Sequence, residues 1–282
     1  MSVATSGYGE LDFEKVGART VVRTAFARNP LRLLTPRNHG VGAWVYTSTF
    51  GGGLVGGDHI DIRVHVRSHA TAVILSQSTT KIYRSPAGTS QSIEGRVEAG
   101  GFLAMIPDAV SCFAESSFEQ RQSYELAAGA SLVLVDSMNC GRSGSGERWL
   151  FDRYRSQIRV SRNQKPIFLE SLLLDSRAGE LASRGGRFNA HCMLLLTGPE
   201  LAEARSELLA SVGQAHQYMS GACGGAQSRV RAEMVVSASP LGDDGVLLRL
   251  AATSSEQLTR AVRGFLDFLP RKLGDDPWQR KW

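Results

Sequence analysis

Two short segments hold most of the chemistry this chain could do. Residues 51–58 read Gly-Gly-Gly-Leu-Val-Gly-Gly-Asp, and residues 77–84 read Gln-Ser-Thr-Thr-Lys-Ile-Tyr-Arg. Five glycines in seven residues exclude a helix interior, where each costs about 1 kcal/mol relative to alanine. A phosphate loop would need Gly-x-x-x-x-Gly-Lys-Ser/Thr opening a helix. Here Gly57 is followed by Asp58, His59 and a strand pattern, and a carboxylate beside a phosphate would repel it. No helix follows to complete a dinucleotide fingerprint either. The glycines therefore read as a tight turn between strands, and Asp58 is the residue that a turn does not require. In the second segment Lys81 and Tyr83 share one face of a strand while Arg84 lies on the other. Pairing of Lys81 or Arg84 with Asp58 is the structural expectation.

Three further carboxylates stand at informative places. Asp136 ends the apolar run 132–135, Glu147 follows the glycine-rich turn 141–146, and Glu170 interrupts the apolar run 167–174. A carboxylate inside such a run must be paired, protonated or turned to a wet cavity. Glu170 is expected to be buried or cavity-facing, with a solvent-facing register as the alternative. His59, His65 and His69 form no metal motif, since neither a helical His-x-x-x-His nor a Cys/His cluster accompanies them. A Gly-x-Ser-x-Gly elbow is also missing. What the residues could support is loose, transient binding of a divalent metal by carboxylates and water.

The totals describe an ordinary globular protein. The chain has 282 residues, 42% apolar and 21% charged, enough for a substantial core. Four scattered cysteines, with no Cys-x-x-Cys pair, argue against a disulfide scaffold or zinc knuckle. The start has neither a basic region nor an apolar stretch of signal-peptide type, so a reduced, cytoplasmic compartment is expected. No apolar stretch reaches membrane-spanning length. The net charge of +5 is spread along the chain, which supports neither nucleic acid nor a membrane surface as partner.

The elements that must position these residues are mainly strands. Residues 20–25, 42–50 and 60–66 read as strands, and strict alternation puts Ile60, Ile62, Val64 and Val66 on one face of the last. Residues 66–75, 97–106 and 126–135 can be superposed as strand, small-residue turn, strand, at a spacing of about 30 residues. A looser fourth copy is 158–160 with 167–169. Such a period predicts layered, helically wound strands of solenoid or sandwich type, in which neighbours bury one another's apolar faces. The last third reads as α+β. Strands are expected at 189–196, 229–236 and 245–252. Two helices are expected, one opening at the capping box Thr197…Glu200 and running to about His216, the other opening at Thr253…Glu256 and stopped by Pro270. This predicts a β-rich region 1–185, an α+β region 186–270 packed on it, and a tail 271–282, together one continuous unit. Trp278 and Trp282 in that polar tail are expected to dock on the body or on a partner.

Taken in order, Gly-Leu-Val-Gly-Gly-Asp at 53–58, Thr-Thr-Lys-Ile-Tyr-Arg-Ser at 79–85, Pro-Asp at 107–108, Gly-Ala-Ser-Leu…Asp at 129–136 and Gly-Arg…Gly-Glu at 141–147 resemble the UreD (UreH) family of urease accessory proteins. The resemblance covers nearly the whole chain. It implies a non-enzymatic, largely β scaffold that binds the urease apoprotein and the accessory protein UreF, which recruits the GTPase UreG. It implies no permanently bound cofactor, with nickel in transit through a water-filled passage toward the urease active site. On this resemblance Asp58 and Glu170 belong to the nickel path, and Thr80, Lys81, Asp136 and Glu147 are candidate neighbours of it. The alternative is a β-solenoid-like carbohydrate-binding or hydrolytic protein, for which Trp44, Tyr46 and Tyr83 are the few aromatic platforms available.

Overall fold

A computed structural model describes residues 6–37, 39–220 and 232–279 of the chain. β1 (Ser6–Val16) and β2 (Arg19–Arg28) form an antiparallel hairpin, as do β3 (Leu31–Leu34) and β4 (Ala43–Thr49). The short β5 (Gly53–Leu54) precedes three wound units. These are β6 (His59–Val66) with β7 (Thr71–Ser76) and β8 (Thr80–Ile82), then β9 (Thr89–Val97) with β10 (Phe102–Met105) and β11 (Val110–Cys112), then β12 (Ser117–Leu126) with β13 (Ser131–Asn139). The chain continues through β14 (Arg153–Arg162), β15 (Lys165–Asp175), α1 (Leu181–Gly185) and β16 (Ala190–Thr197). It ends with α2 (Ala202–Ser220), β17 (Met234–Leu241), β18 (Gly245–Ala252), α3 (Ser255–Phe265) and α4 (Phe268–Leu273).

The wound units stack as the 30-residue period predicts. In each unit the first strand joins one sheet and the second crosses to another. Val66 pairs with Val97, and Val97 with Leu126, in parallel register. Across the gap Thr71 pairs with Phe102, and Phe102 with Ser131. The first sheet has the order β15-β14-β12-β9-β6-β1-β2, and the second runs β17-β18-β16-β13-β10-β7-β4-β3. Both sheets are parallel in the middle, with antiparallel strands at their margins.

Three layers result. Alternation holds in the first sheet, where Ile60, Ile62, Val64 and Val66 are buried against the second sheet while Arg63 is exposed. The second sheet is buried on both faces, which explains the unbroken apolar stretch 132–135. Leu132 and Leu134 face the first sheet. Val133 and Val135 face the helices, packing in one cluster with Leu201, Leu208, Leu258 and Leu269. The two main helices therefore cover one face of the sandwich, and β16 and β18 carry the second sheet across residue 186 without a break.

Several local expectations shift. The fourth copy is only half a unit: β14 continues the parallel ladder on β12, but β15 turns back beside it in the same sheet. A two-residue loop, Asn163-Gln164, causes this, with both residues in the left-handed region (φ 48° and 65°), as a type I′ hairpin requires. The strand expected at 229–236 forms at Met234–Leu241, and residues 229–231 lie outside the described residues. Thr197 does not cap α2. Its hydroxyl instead meets Arg162 and Asp244, and Gly198 holds the cap position before the 3-10 turn Pro199–Leu201. Ser254 caps α3, accepting from the Glu256 N–H. Pro270 sits in the first turn of α4 rather than stopping α3, at a position where a missing N–H costs nothing. The tail docks on the body. Asp275 accepts from the His39 N–H, Pro277 carbonyl accepts from the Tyr46 hydroxyl, and Trp278 packs on the helix-side core. Trp282 lies outside the described residues.

The turns of the wound units share one conformational demand. His69, Gly100 and Gly129 occupy equivalent positions, all left-handed, at φ 60°, 64° and 73°. The His69 ring lies over Gly100, so a Cβ there would come within 2.4 Å of it. Gly100→Ala is expected to cost about 1–2 kcal/mol from backbone strain plus collision. Adding His69→Gly should recover part of the loss, because the colliding ring and one strained backbone go together. Urea unfolding of the two single variants and the double one measures this, and strict additivity would contradict it.

Candidate functional site

The inward faces of the wound strands are not uniformly apolar. β12 turns Phe118, Gln120, Gln122, Tyr124 and Leu126 inward, with both glutamines buried. β14 turns Ser156 inward between Tyr154 and Ile158, and Asp136 follows Leu134 on the inward face of β13. These groups satisfy one another. The Asp136 carboxylate accepts from the Gln120 side-chain amide and from the Ser156 hydroxyl, both at 2.8 Å. The Tyr124 hydroxyl donates to the Gln122 carbonyl at 2.7 Å. Burial is expensive for ionised carboxyls. It pushes the Asp136 carboxyl above its ordinary range, with Glu170 adding to the rise and the two hydrogen bonds opposing it.

Around these groups three cavities lie side by side between the sheets. The first, about 280 Å³, is lined by Asp136, Glu170, His191 and Arg249, with Trp149 and Tyr154 among its apolar walls. A second, about 40 Å³, is lined by Asp136, Ser137, Gln120, Gln122, Ser76 and Thr80. A third, also about 40 Å³, shares Ser76 and Thr80 and reaches the exposed Gly52 and Ser78. The lining strands show the direction. The first of the three lies among β14, β15, β16 and β18, the middle one among β9, β12 and β13, and the last against β3, β4 and β6. The three cavities therefore lie in a row across the sandwich, perpendicular to its strands, a file in which polar side chains recur between apolar walls.

The sequence-level candidates divide along this file. Asp136, Glu170 and Thr80 line it. Glu170 faces the first cavity from the marginal strand β15, with both carboxylate oxygens held by Arg249 of β18 at 2.7 and 2.6 Å. Asp58, Lys81 and Glu147 are not among the residues lining these cavities. Asp58 is buried and closes the glycine turn on itself, its Oδ2 accepting from the Val55 N–H at 2.9 Å while its own N–H donates to the Val55 carbonyl. Arg84 pairs with Glu115 at 2.7 Å rather than serving that turn. Lys81 is exposed on β8. Glu147 pairs with Arg142, whose guanidinium holds its carboxyl below the ordinary range and lies over the Phe113 ring. Sequence reasoning missed Gln120, Gln122, Ser156 and Arg249. The signal for the first three was polar residues at inward positions of alternating strands.

The donors suit passage better than retention. Two carboxylates, an imidazole that burial keeps below its ordinary basicity, and amide and hydroxyl oxygens line the file. Among the described residues no three His, Cys, Asp or Glu side chains converge as a metal cage. Thiolate ligation is also disfavoured, because burial pushes the Cys192 thiol far above its usual range. No helix among the described residues is long and apolar enough to cross a membrane.

The family model described as "UreD urease accessory protein" matches residues 5–282. Urease accessory protein UreD of Sorangium cellulosum is 47% identical over 98% of this chain and 85% of its own length. That of Anaeromyxobacter sp. is 35% identical over 98% of this chain and 89% of its own. Urease accessory protein D of Arabidopsis thaliana is 31% identical over 96% and 99%, respectively.

The cost of holding Asp136 inside the sandwich can be measured. A carboxyl whose native pKa is raised destabilises the fold only while it is ionised. The penalty is absent below the ordinary value of 3.8 and grows as pH rises through the native pKa. Asp136→Asn keeps one of the two acceptor oxygens, leaves the rotatable Ser156 hydroxyl free to accept from the new amide, and removes the charge. It is expected to raise the thermal midpoint at pH 7, with the gain vanishing toward pH 4. A loss of stability at pH 7 would show that the Gln120 and Ser156 hydrogen bonds outweigh burial.

Proposed function

The chain belongs to the UreD family of urease accessory proteins, and from that premise we propose that it is a non-enzymatic scaffold that conducts nickel through the polar file during urease maturation. Its partners on this reading are the urease apoprotein and the accessory proteins UreF and UreG, in the cytoplasm. Nickel is cargo, and no cofactor is resident.

The observation that carries the reading is Asp136 at the junction of two inter-sheet cavities. Burial works against an ionised acid there, so its placement asks for a reason beyond packing. The physics of conduction supplies that reason. A hydrated divalent ion crossing a protein needs oxygen donors weak enough to release it and carboxylates spaced to lower the electrostatic barrier. Asp136 and Glu170 are the two carboxylates lining the first cavity, and the amide and hydroxyls of Gln120, Ser76 and Thr80 are the weak donors of the next. A closed thiolate or imidazole cage would instead trap the ion. Leu172 of β15 lines the larger mouth and is exposed, and Leu169 and Leu173 are exposed on the other face of the same strand, an apolar margin that suits a covering partner which would continue the passage.

A carboxylate about 5 Å from a divalent ion is worth about 1.7 kcal/mol even at the dielectric of water, or roughly tenfold in rate. Asp136→Asn and Glu170→Gln are therefore each expected to lower the nickel content of urease matured with the full accessory set by about that factor in the early time course. Co-purification of the variants with their partners should be unchanged. Normal nickel loading by both variants, with complexes intact, would overturn the reading.

A further inference from the structure

Glu170 stands at the wider mouth of the file, yet its charge is already spoken for. Arg249 Nη1 and Nη2 donate to Oε1 and Oε2 in a bidentate pair. The partners belong to different sheets, with Glu170 on the marginal β15 and Arg249 on β18. They are held unequally. The Glu170 side chain is 19% exposed and that of Arg249 is 52% exposed. The carboxylate is set into the cavity wall, and the guanidinium reaches over it from the solvent side. A fork-to-fork pair uses both carboxylate oxygens, so a cation arriving at this mouth meets a neutral pair and the positive face of a guanidinium. Arg184 also lines the mouth and adds a second positive charge.

We propose that Arg249 is a gating, specificity-determining residue, which keeps Glu170 neutralised until a divalent cation in the cavity displaces the guanidinium outward. This rests on the conduction reading above. The exposed side of Arg249 gives it room to swing by rotation about its own side chain, with no change in the sheets. The exchange favours a doubly charged ion, whose attraction for the carboxylate is twice that of a guanidinium at equal distance. The pair closes the mouth and ties the marginal β15 of one sheet to β18 of the other, and a passing ion inherits Glu170 only while it is there.

The test is nickel binding by the full chain, read by competition with a chromogenic chelator using nickel chloride as the probe. Arg249→Gln removes the charge while leaving a donor for Glu170, and is expected to tighten nickel binding about tenfold. Arg249→Lys keeps the charge and should bind within about twofold of the unaltered chain. The gain of Arg249→Gln should disappear when Glu170→Gln is added. Binding by Arg249→Gln equal to the unaltered chain, or a gain that survives Glu170→Gln, would overturn the gate. A purely structural role would lower the melting temperature of both Arg249 variants without separating their nickel affinities. The two readings fail apart. Normal urease loading by Asp136→Asn and Glu170→Gln removes conduction whatever the chelator assay gives, whereas impaired loading with an unchanged Arg249→Gln affinity removes only the gate.

Discussion

The parallel register between wound units is the constraint on which the rest of this structure depends. Because Val66 stacks on Val97 and Val97 on Leu126, side-chain parity is common to every unit. An inward residue in one strand lies beside an inward residue about thirty positions on. That is why inward polar residues on different strands can meet: Gln91 of β9 and Gln120 of β12 are direct ladder partners. A slip of one residue in any unit would turn its apolar set outward and break the file at once. The left-handed residue at each turn sets the length of the crossover, and so the register and the file have a common origin.

Polar groups inside such a sandwich are tolerable only when they satisfy one another. Gln120 donates to Asp136, Ser156 does the same, and Tyr124 donates to Gln122. Unpaired, each buried group would cost about 1–3 kcal/mol. Paired, the hydrogen bonds are close to neutral, and the remaining expense is the carboxylate charge. The flanking apolar layers carry that expense. The sheet is apolar on both faces at 132–135, one residue before Asp136, with the helices sealing the far side. The third layer of helices thus matters to the site without touching the file at Asp136.

Much of the fold was legible because it is periodic. Strict alternation in 60–66 and the repeated strand, turn and strand fixed the two-sheet winding, and the dense apolar run 132–135 marked a strand buried on both sides. The half-unit at β14 was not legible. It depends on Asn163 and Gln164 both adopting left-handed backbone, a property their residue types only weakly announce. Among site residues, Asp136 was visible as an acid at the end of an apolar run and Glu170 as an acid inside one. Their sharing of one cavity was not, since β13 and β15 belong to different sheets. Asp58 drew attention as a carboxylate after glycines, and its hydrogen bond to the Val55 N–H gives it a local turn-closing role. Gln120 and Gln122 were passed over because glutamine in a strand reads as an outward residue until the parity of its neighbours is counted.

The position of the mouth follows from how the winding ends. While units repeat, each first-sheet strand is matched by one in the second sheet and only small cavities, about 40 Å³ each, are left between them. At β14 the repetition stops. The hairpin β14–β15 extends the first sheet, and antiparallel β16 and β18 extend the second, so the two margins are built from unrelated sequence and need not fill the space between them. The 280 Å³ cavity lies there. A gap between two sheet margins needs a tie, and a hydrophobic one would seal it. A bidentate ion pair spans the opening while leaving it polar and separable. Glu170 and Arg249 are that tie, placed where the solenoid's own repetition no longer closes the sandwich.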